Sequence, residues 1–150
     1  MQIDDIERVL ALELQSHIHP WTRGNFTDSL AAGHWAYCIE NENSSDLIAY
    51  FILFPAVDEL HLLNITVNPA VRRQGIGMRL MTSVENIARQ SYCQRIILEV
   101  RPSNLAAIKL YENLGFTLIG KRLQYYPLDP KSGEREDAHV LAKSLKMNTL

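Results

Sequence analysis

Leu60-His61-Leu62-Leu63-Asn64-Ile65-Thr66-Val67, then Asn68-Pro69, then Arg72-Arg73-Gln74-Gly75-Ile76-Gly77 is the stretch whose reading decides the fold. The first eight residues read as a buried strand, and Asn68-Pro69 stops it. Beyond the turn, apolar residues at Ile76, Leu80, Val84, Ile87 and Ala88 have the spacing of one helical face. A strand therefore feeds a basic, glycine-containing turn that opens a helix. Such a turn presents unpaired backbone N–H groups at the positive end of the helix dipole, with no side-chain bulk at Gly75 and Gly77. That suits phosphate. The turn lacks both the three-glycine spacing of a dinucleotide fold and the glycine–lysine loop of a nucleotide hydrolase. By itself it is equally a plain strand-to-helix connection.

Working outward, Asp4 or Asp5 can cap a first helix whose apolar face holds Ile6, Val9, Leu10 and Leu14. His19-Pro20 ends it, and Trp21 to Leu30 reads as a second short helix. His34 to Glu40 and Leu47 to Phe54 form a hairpin around the polar turn 41–46, and Pro55 to Glu59 turns the chain into the strand at 60–67. The helix opened at the glycine turn is expected to end near Tyr92. Arg95 to Val100 is the next strand, and Ser103 or Asn104 caps a helix that runs to Leu114 and stops at Gly115. Phe116 to Leu123 is a strand. Tyr125-Tyr126-Pro127 and Pro130-Lys131-Ser132-Gly133 mark a loop, and Glu136 to Leu145 is the closing strand. Helices, an antiparallel meander, helix, strand, helix and a final hairpin make a mixed α/β chain, too interleaved to split. One domain over 1–150 is expected.

At 150 residues and 47% hydrophobic content the chain can bury a proper core. Acidic residues number 17 and basic residues 15, for a formal charge of −2, which argues against a general nucleic-acid binder. Cys38 and Cys93 show no zinc or redox spacing and read as buried, reduced thiols. The start Met1-Gln2-Ile3-Asp4-Asp5 does not read as a signal peptide, and no apolar run reaches membrane-spanning length, so a soluble cytoplasmic monomer is expected. His17, His19, His34, His61 and His139 show no metal-ligand pattern, and no metal is expected.

Two further positions carry candidate chemistry. Glu99 stands inside the apolar strand Ile96-Ile97-Leu98-Glu99-Val100, where an unpaired carboxylate is costly. Either it faces solvent or pairs with Arg95 or Arg101, or it is a general base. Tyr111 lies at helical spacing with Ala107, Ile108 and Leu114 and reads equally as a core aromatic.

Arg72, Gly75 and Gly77 match the coenzyme A turn of the GCN5-related N-acetyltransferase (GNAT) superfamily, Arg/Gln-x-x-Gly-x-Gly/Ala, which the chain resembles. Leu98-Glu99-Val100-Arg101-Pro102-Ser103-Asn104, Leu110-Tyr111-Glu112, Leu114-Gly115-Phe116, Pro20-Trp21, Tyr125-Tyr126-Pro127 and Arg135-Glu136-Asp137-Ala138 look like its RimI branch. That branch acetylates the N-terminal alanine of a small-subunit ribosomal protein, the eighteenth. The resemblance implies a mostly antiparallel, splayed sheet flanked by helices, with the usual first strand reduced to about Met1 to Ile3. It implies acetyl-coenzyme A as donor, its pyrophosphate on the N–H groups of Arg73, Gln74, Gly75, Ile76, Gly77 and Met78, its pantetheine arm along Ile65, Thr66 and Val67, and a contact from Asn104; Arg72 either contacts phosphate or only covers the turn. It implies Glu99 as general base, Tyr111 as general acid toward the leaving thiolate, and acceptor contacts from Trp21, Tyr125 and Tyr126. Glu134, Glu136 and Asp137 read either as an acidic face for a basic peptide or as a solvated charge run. Acetylation of an internal lysine or a small amine, and acyl-coenzyme A binding without catalysis, remain the competing functions.

Overall fold

The computed structural model describes residues 1–127 and 131–146. Its elements are α1 (Ile6–Ser16), α2 (Arg23–Ala31), β1 (Trp35–Glu40), β2 (Leu47–Ala56), β3 (Glu59–Val67), α3 (Ile76–Gln90), β4 (Arg95–Val100), α4 (Leu105–Asn113), β5 (Thr117–Tyr126) and β6 (Glu136–Ser144). Short 3-10 turns occupy Ile3–Asp5 and Pro69–Val71. The strands are ordered β1-β2-β3-β4-β6-β5, and β1–β2, β4–β6 and β5–β6 are antiparallel. This is the mixed α/β architecture, with a mostly antiparallel sheet, that the element pattern implied. No helix among the described residues is long and apolar enough to cross a membrane.

The chain forms two compact units, Met1–Pro55 with Leu62–Ser83, and Ala56–His61 with the chain from Val84 on. In the first, Ile6, Val9 and Leu12 of α1 and Phe26 of α2 pack with Leu47, Tyr50 and Ile52 of β2. Phe26 meets the Tyr50 ring edge-on at 5.9 Å, and Trp21 lies against Phe26 at 5.2 Å. Inside this core sits a carboxylate. Glu13, 2% exposed, accepts from Asn64 Nδ2 at 3.2 Å to each oxygen and from the Trp21 backbone N–H at 3.1 Å. The Tyr50 hydroxyl and, at 3.5 Å, the Thr66 hydroxyl also donate to it, and His17 Nε2 lies 3.6 Å from Oε2. Convergent donors are what make a buried carboxylate tolerable.

In the second unit, Val84, Ala88, Cys93, Ile96, Leu98, Tyr111, Phe116, Ala138 and Leu141 are buried. Tyr111 packs against Phe116 with ring centroids 5.7 Å apart. Glu85 on α3 accepts from Lys143 of β6 at 2.6 Å and from Arg89 at 2.8 Å, and Arg95 Nε donates to Glu59 at 2.7 Å.

Several expectations are corrected. Leu14 is 60% exposed, while Leu12 and Glu13 are buried in its place. At about 100° per residue, Leu14 turns away from Ile6 in the sense opposite to Val9 and Leu12. Asp5 places no side-chain cap on α1. It accepts instead from the Gln2 N–H at 2.6 Å and from Arg8 Nη2 at 2.7 Å, which closes Ile3–Asp5 into a 3-10 turn, and the short strand expected at about Met1 to Ile3 does not form. The second helix starts at Arg23, because Thr22 caps it by accepting from Asn25 N. β2 keeps Pro55 and Ala56, so the turn shrinks to Val57-Asp58 with Val57 at φ 54°. Tyr125 and Tyr126 belong to β5 rather than to a loop, because a bulge carries the strand past Arg122. Cys93 is buried but Cys38 only half-buried, and burial pushes both free thiols up. Pro130 of the expected loop lies outside the described residues.

Glu13→Ala should strand several buried donors and lower unfolding free energy by about 3 kcal/mol or more, whereas Leu14→Ala next to it should change it by less than about 0.5 kcal/mol. Urea midpoints of the two variants check this.

Candidate active site

In the first unit β3 ends at Val67, and the next residue, Asn68, is tied on three sides. Its N–H donates to Ile48 O at 2.7 Å, its Nδ2 to Leu47 O at 3.2 Å, and its Oδ1 accepts from Ala70 N at 3.0 Å. That fixes where the glycine turn begins. Arg73 and Gly75 both adopt the left-handed region, at φ 63° and 75°. A Cβ at Gly75 would meet nothing within 4 Å, so glycine serves the backbone angle there, not a tight space. Arg79 N–H reaches Gly75 O at 3.2 Å, and the N–H groups ahead of it open outward from the start of α3. Arg72 to Gly75 are exposed, Ile76 and Gly77 half-buried, and Met78 is 47% exposed. Arg72 Nε donates to Val67 O at 3.3 Å, so part of this guanidinium braces the turn.

Along β3, Ile65 and Val67 are half-buried and Thr66 is buried. The Thr66 hydroxyl contacts His17 Nε2 at 2.8 Å and Asn64 Oδ1 at 3.1 Å. Its side chain is committed to the Glu13 shell, which leaves only main-chain groups of Thr66 for a ligand. Trp21, expected at the acceptor, holds its ring against Phe26 and its N–H on Glu13.

The second unit brings together Glu99, Arg122, Tyr125, Tyr126, Arg101 and Glu136. Glu99 interrupts a strand otherwise buried from Ile96 to Val100, and its side chain is 25% exposed. Its cation is neither Arg95 nor Arg101, the two neighbours in sequence, but Arg122, with Nε 2.7 Å from Oε1. Arg95 is held by Glu59, and Arg101 lies 3.4 Å from Glu136 and 4.0 Å over the Tyr126 ring. Arg122 lies 5.2 Å over the Tyr125 ring. Burial, then the nearby Glu99 carboxylate, push the Tyr126 phenol up to about 12 and also raise that of Tyr125.

Glu136 accepts from Ser103 N at 2.8 Å; burial works against its charge, but this bond and Arg101 hold its carboxyl low. Asp137 Oδ1 accepts from Gln124 N at 2.7 Å. These two carboxylates organise the strand ends, Glu136 at the Ser103 N–H and Asp137 at the Gln124 N–H. Asn104 caps α4 by accepting from Ala107 N at 3.2 Å. Tyr111 is 6% exposed, and burial pushes its phenol up to about 12, so it keeps its proton at neutral pH. Among the described residues no group of His, Cys, Asp and Glu could hold a metal ion. Sequence reading missed Glu13, whose signal was a carboxylate next to Leu12 on the buried side of α1. It also missed Arg122, which carried no signal at all.

The acetyltransferase (GNAT) family model matches residues 6–116. The ribosomal protein bS18-alanine N-acetyltransferase of Haemophilus ducreyi is 33% identical over 138 residues, 92% of this chain and 92% of that protein. The Escherichia coli protein of the same name is 31% identical over 147 residues, 98% of this chain and 96% of that one. A crystal structure of the ribosomal-protein-S18-alanine N-acetyltransferase from Escherichia coli superposes with a TM-score of 0.86 at 30% identity, covering 100% of this chain and 95% of that chain.

The raised phenols of Tyr111 and Tyr126 set an alkaline limit. Above the unfolded tyrosine value of about 10, the unfolded chain releases protons that the folded chain retains, so stability should fall as pH rises toward about 12. Denaturant midpoints from pH 9 upward should show a shallower fall for Tyr111→Phe than for the parent.

Proposed function

The chain belongs to the acetyltransferase (GNAT) family, and we propose that it is a protein N-terminal α-acetyltransferase of one domain. The proposed reaction moves an acetyl group from acetyl-coenzyme A to the N-terminal alanine of the eighteenth small-subunit ribosomal protein. The observation that carries this reading is the near end-to-end likeness, at 31–33% identity, to enzymes bearing that activity in their names. The family match runs through segments of both compact units, which supports one domain.

The turn from Arg72 to Met78, exposed through Gly75, offers main-chain N–H groups for the coenzyme's pyrophosphate. Ile65, Thr66 and Val67 offer main-chain groups to its amide-bearing arm, in the manner of an added strand. A backbone N–H of the same strand would face the oxyanion that forms on the acetyl carbonyl. Asn104 is a further candidate for the coenzyme, besides its place as a cap.

Glu99 is the proposed base. A peptide α-ammonium has a pKa of about 7.7–8.0, against about 10.4 for lysine, so a carboxylate can accept its proton without extreme tuning. The freed nitrogen attacks the thioester carbon and the carbon–sulfur bond breaks. The departing thiolate takes the Tyr111 proton, and the surplus proton on the new amide nitrogen restores Tyr111. Glu99 returns its own proton to solvent, so one proton is released per turnover. Trp21, Tyr125 and Tyr126 are the proposed acceptor contacts.

With a peptide beginning in alanine as acceptor, Glu99→Gln and Tyr111→Phe should each lower kcat by about 100-fold or more, with coenzyme affinity by calorimetry unchanged. Turnover of a free polyamine and none of the peptide would remove the acceptor assignment, and unchanged rates in the variants would remove the two roles.

A further inference from the structure

Arg122 reaches Glu99 across an intervening strand. β6 lies between β4 and β5, with Val140 opposite Glu99 and Ala138 opposite Arg122. Those two β6 side chains carry no charge. The guanidinium thus spans two strand spacings, about 9–10 Å, to end with Nε 2.7 Å from Oε1. The other charged and titratable groups on that face are Arg95 and Arg101 of β4, Glu136 of β6, and Tyr125 and Tyr126 of β5; Arg95 is held by Glu59. Arg101 is engaged by Glu136 and by the Tyr126 ring. Lys121 and His139 pair with each other in register, one residue removed from Arg122, Ala138 and Val140, and strand alternation turns their side chains to the opposite face. Arg122 is therefore the cation committed to this carboxylate.

A guanidinium on Oε1 competes with an acceptor's ammonium for the charge of Glu99. The Arg122 side chain is 59% exposed and that of Glu99 only 25%. An exposed ion pair of this kind opens easily, and Arg122 can retire over the Tyr125 ring, from which it is already 5.2 Å. We propose that Arg122 is a further functional residue of the acceptor site: it holds Glu99 until the acceptor's ammonium displaces it, and its charge, kept close by the Tyr125 ring, then weakens the ammonium's hold on its proton, which leaves through Glu99. The inference rests on Glu99 being the base.

The exchange conserves charge. One cation leaves the carboxylate and another arrives, so selection falls on a cationic terminus small enough to enter where a guanidinium sat. Once displaced, Arg122 is a like charge beside the bound ammonium and favours the neutral amine; the same charge favours ionised Glu99, so the carboxylate relays the proton onward to solvent rather than holding it. The N–H bond breaks, its proton passes to the Glu99 oxygen, and the electron pair stays on nitrogen for attack on the thioester. Tyr125 gains a part distinct from peptide contact, as the resting place of the displaced side chain.

The test is the pH dependence of kcat with an alanine-initiated peptide at saturating acetyl-coenzyme A, for the parent, Arg122→Gln and Arg122→Lys. Arg122→Gln should move the rising limb to higher pH by about one unit and lower the peptide KM severalfold, because the competing cation is gone. Arg122→Lys should keep the limb at the parent's position. A limb that stays put in Arg122→Gln, or shifts equally in both variants, overturns the inference, as does a loss of activity that is the same at every pH. Glu99→Gln assayed beside them separates the two readings. If it is inactive while Arg122→Gln shows no shift, the base stands and the role of Arg122 falls. If Glu99→Gln is as active as the parent, the base itself falls.

Discussion

A carboxylate sealed in an apolar interior constrains everything around it, and Glu13 does this for the first unit. Ionised or neutral, it must meet donors, and they arrive from Tyr50 on β2, Asn64 and Thr66 on β3, and the backbone after α1 at Trp21. The consequence for β3 is one of register. Asn64 and Thr66 must point inward, so Ile65 and Val67 point to the other face. A slip of one residue would put Ile65 against the carboxylate and break the shell. The strand that would carry the coenzyme arm is thus held in phase by a group that makes no contact with the chemistry. Asn68, bonded to Leu47 and Ile48, carries the same phase into the glycine turn.

The second unit uses charge differently. Its ion pairs are partly in solvent, where they choose partners more than they add stability. Glu136 ties Arg101 and the Ser103 N–H together just ahead of the Asn104 cap, which fixes how α4 departs from β4 and so where Tyr111 enters the interior. With Arg101 engaged and Arg95 held by Glu59, Glu99 is left to Arg122. The pairing is decided by elimination among cations, and each elimination depends on a strand neighbour remote in sequence.

Much of this was legible in the chain itself. The strand from Leu60 to Val67, the glycine turn, the helix that follows, the strand 95–100 and the Asn104 cap all rest on local rules of periodicity, turn composition and capping. The same rules erred where two local signals competed. Asp5 offered itself as a helix cap but bonded backward to Gln2 and forward to Arg8. Tyr125-Tyr126-Pro127 read as loop because of its proline, yet a bulge carried β5 through both tyrosines.

The sequence by itself determined which segments become strands and helices and where the phosphate-type turn falls, because backbone preferences act over a few residues. It could not say that Glu13 would meet Asn64, 51 positions away, or that Glu99 would pass over the arginines beside it in sequence for one on another strand. Those choices belong to tertiary structure. A charge or a buried donor binds whatever the folded sheet brings within hydrogen-bond distance, and separation along the chain carries no information about that distance.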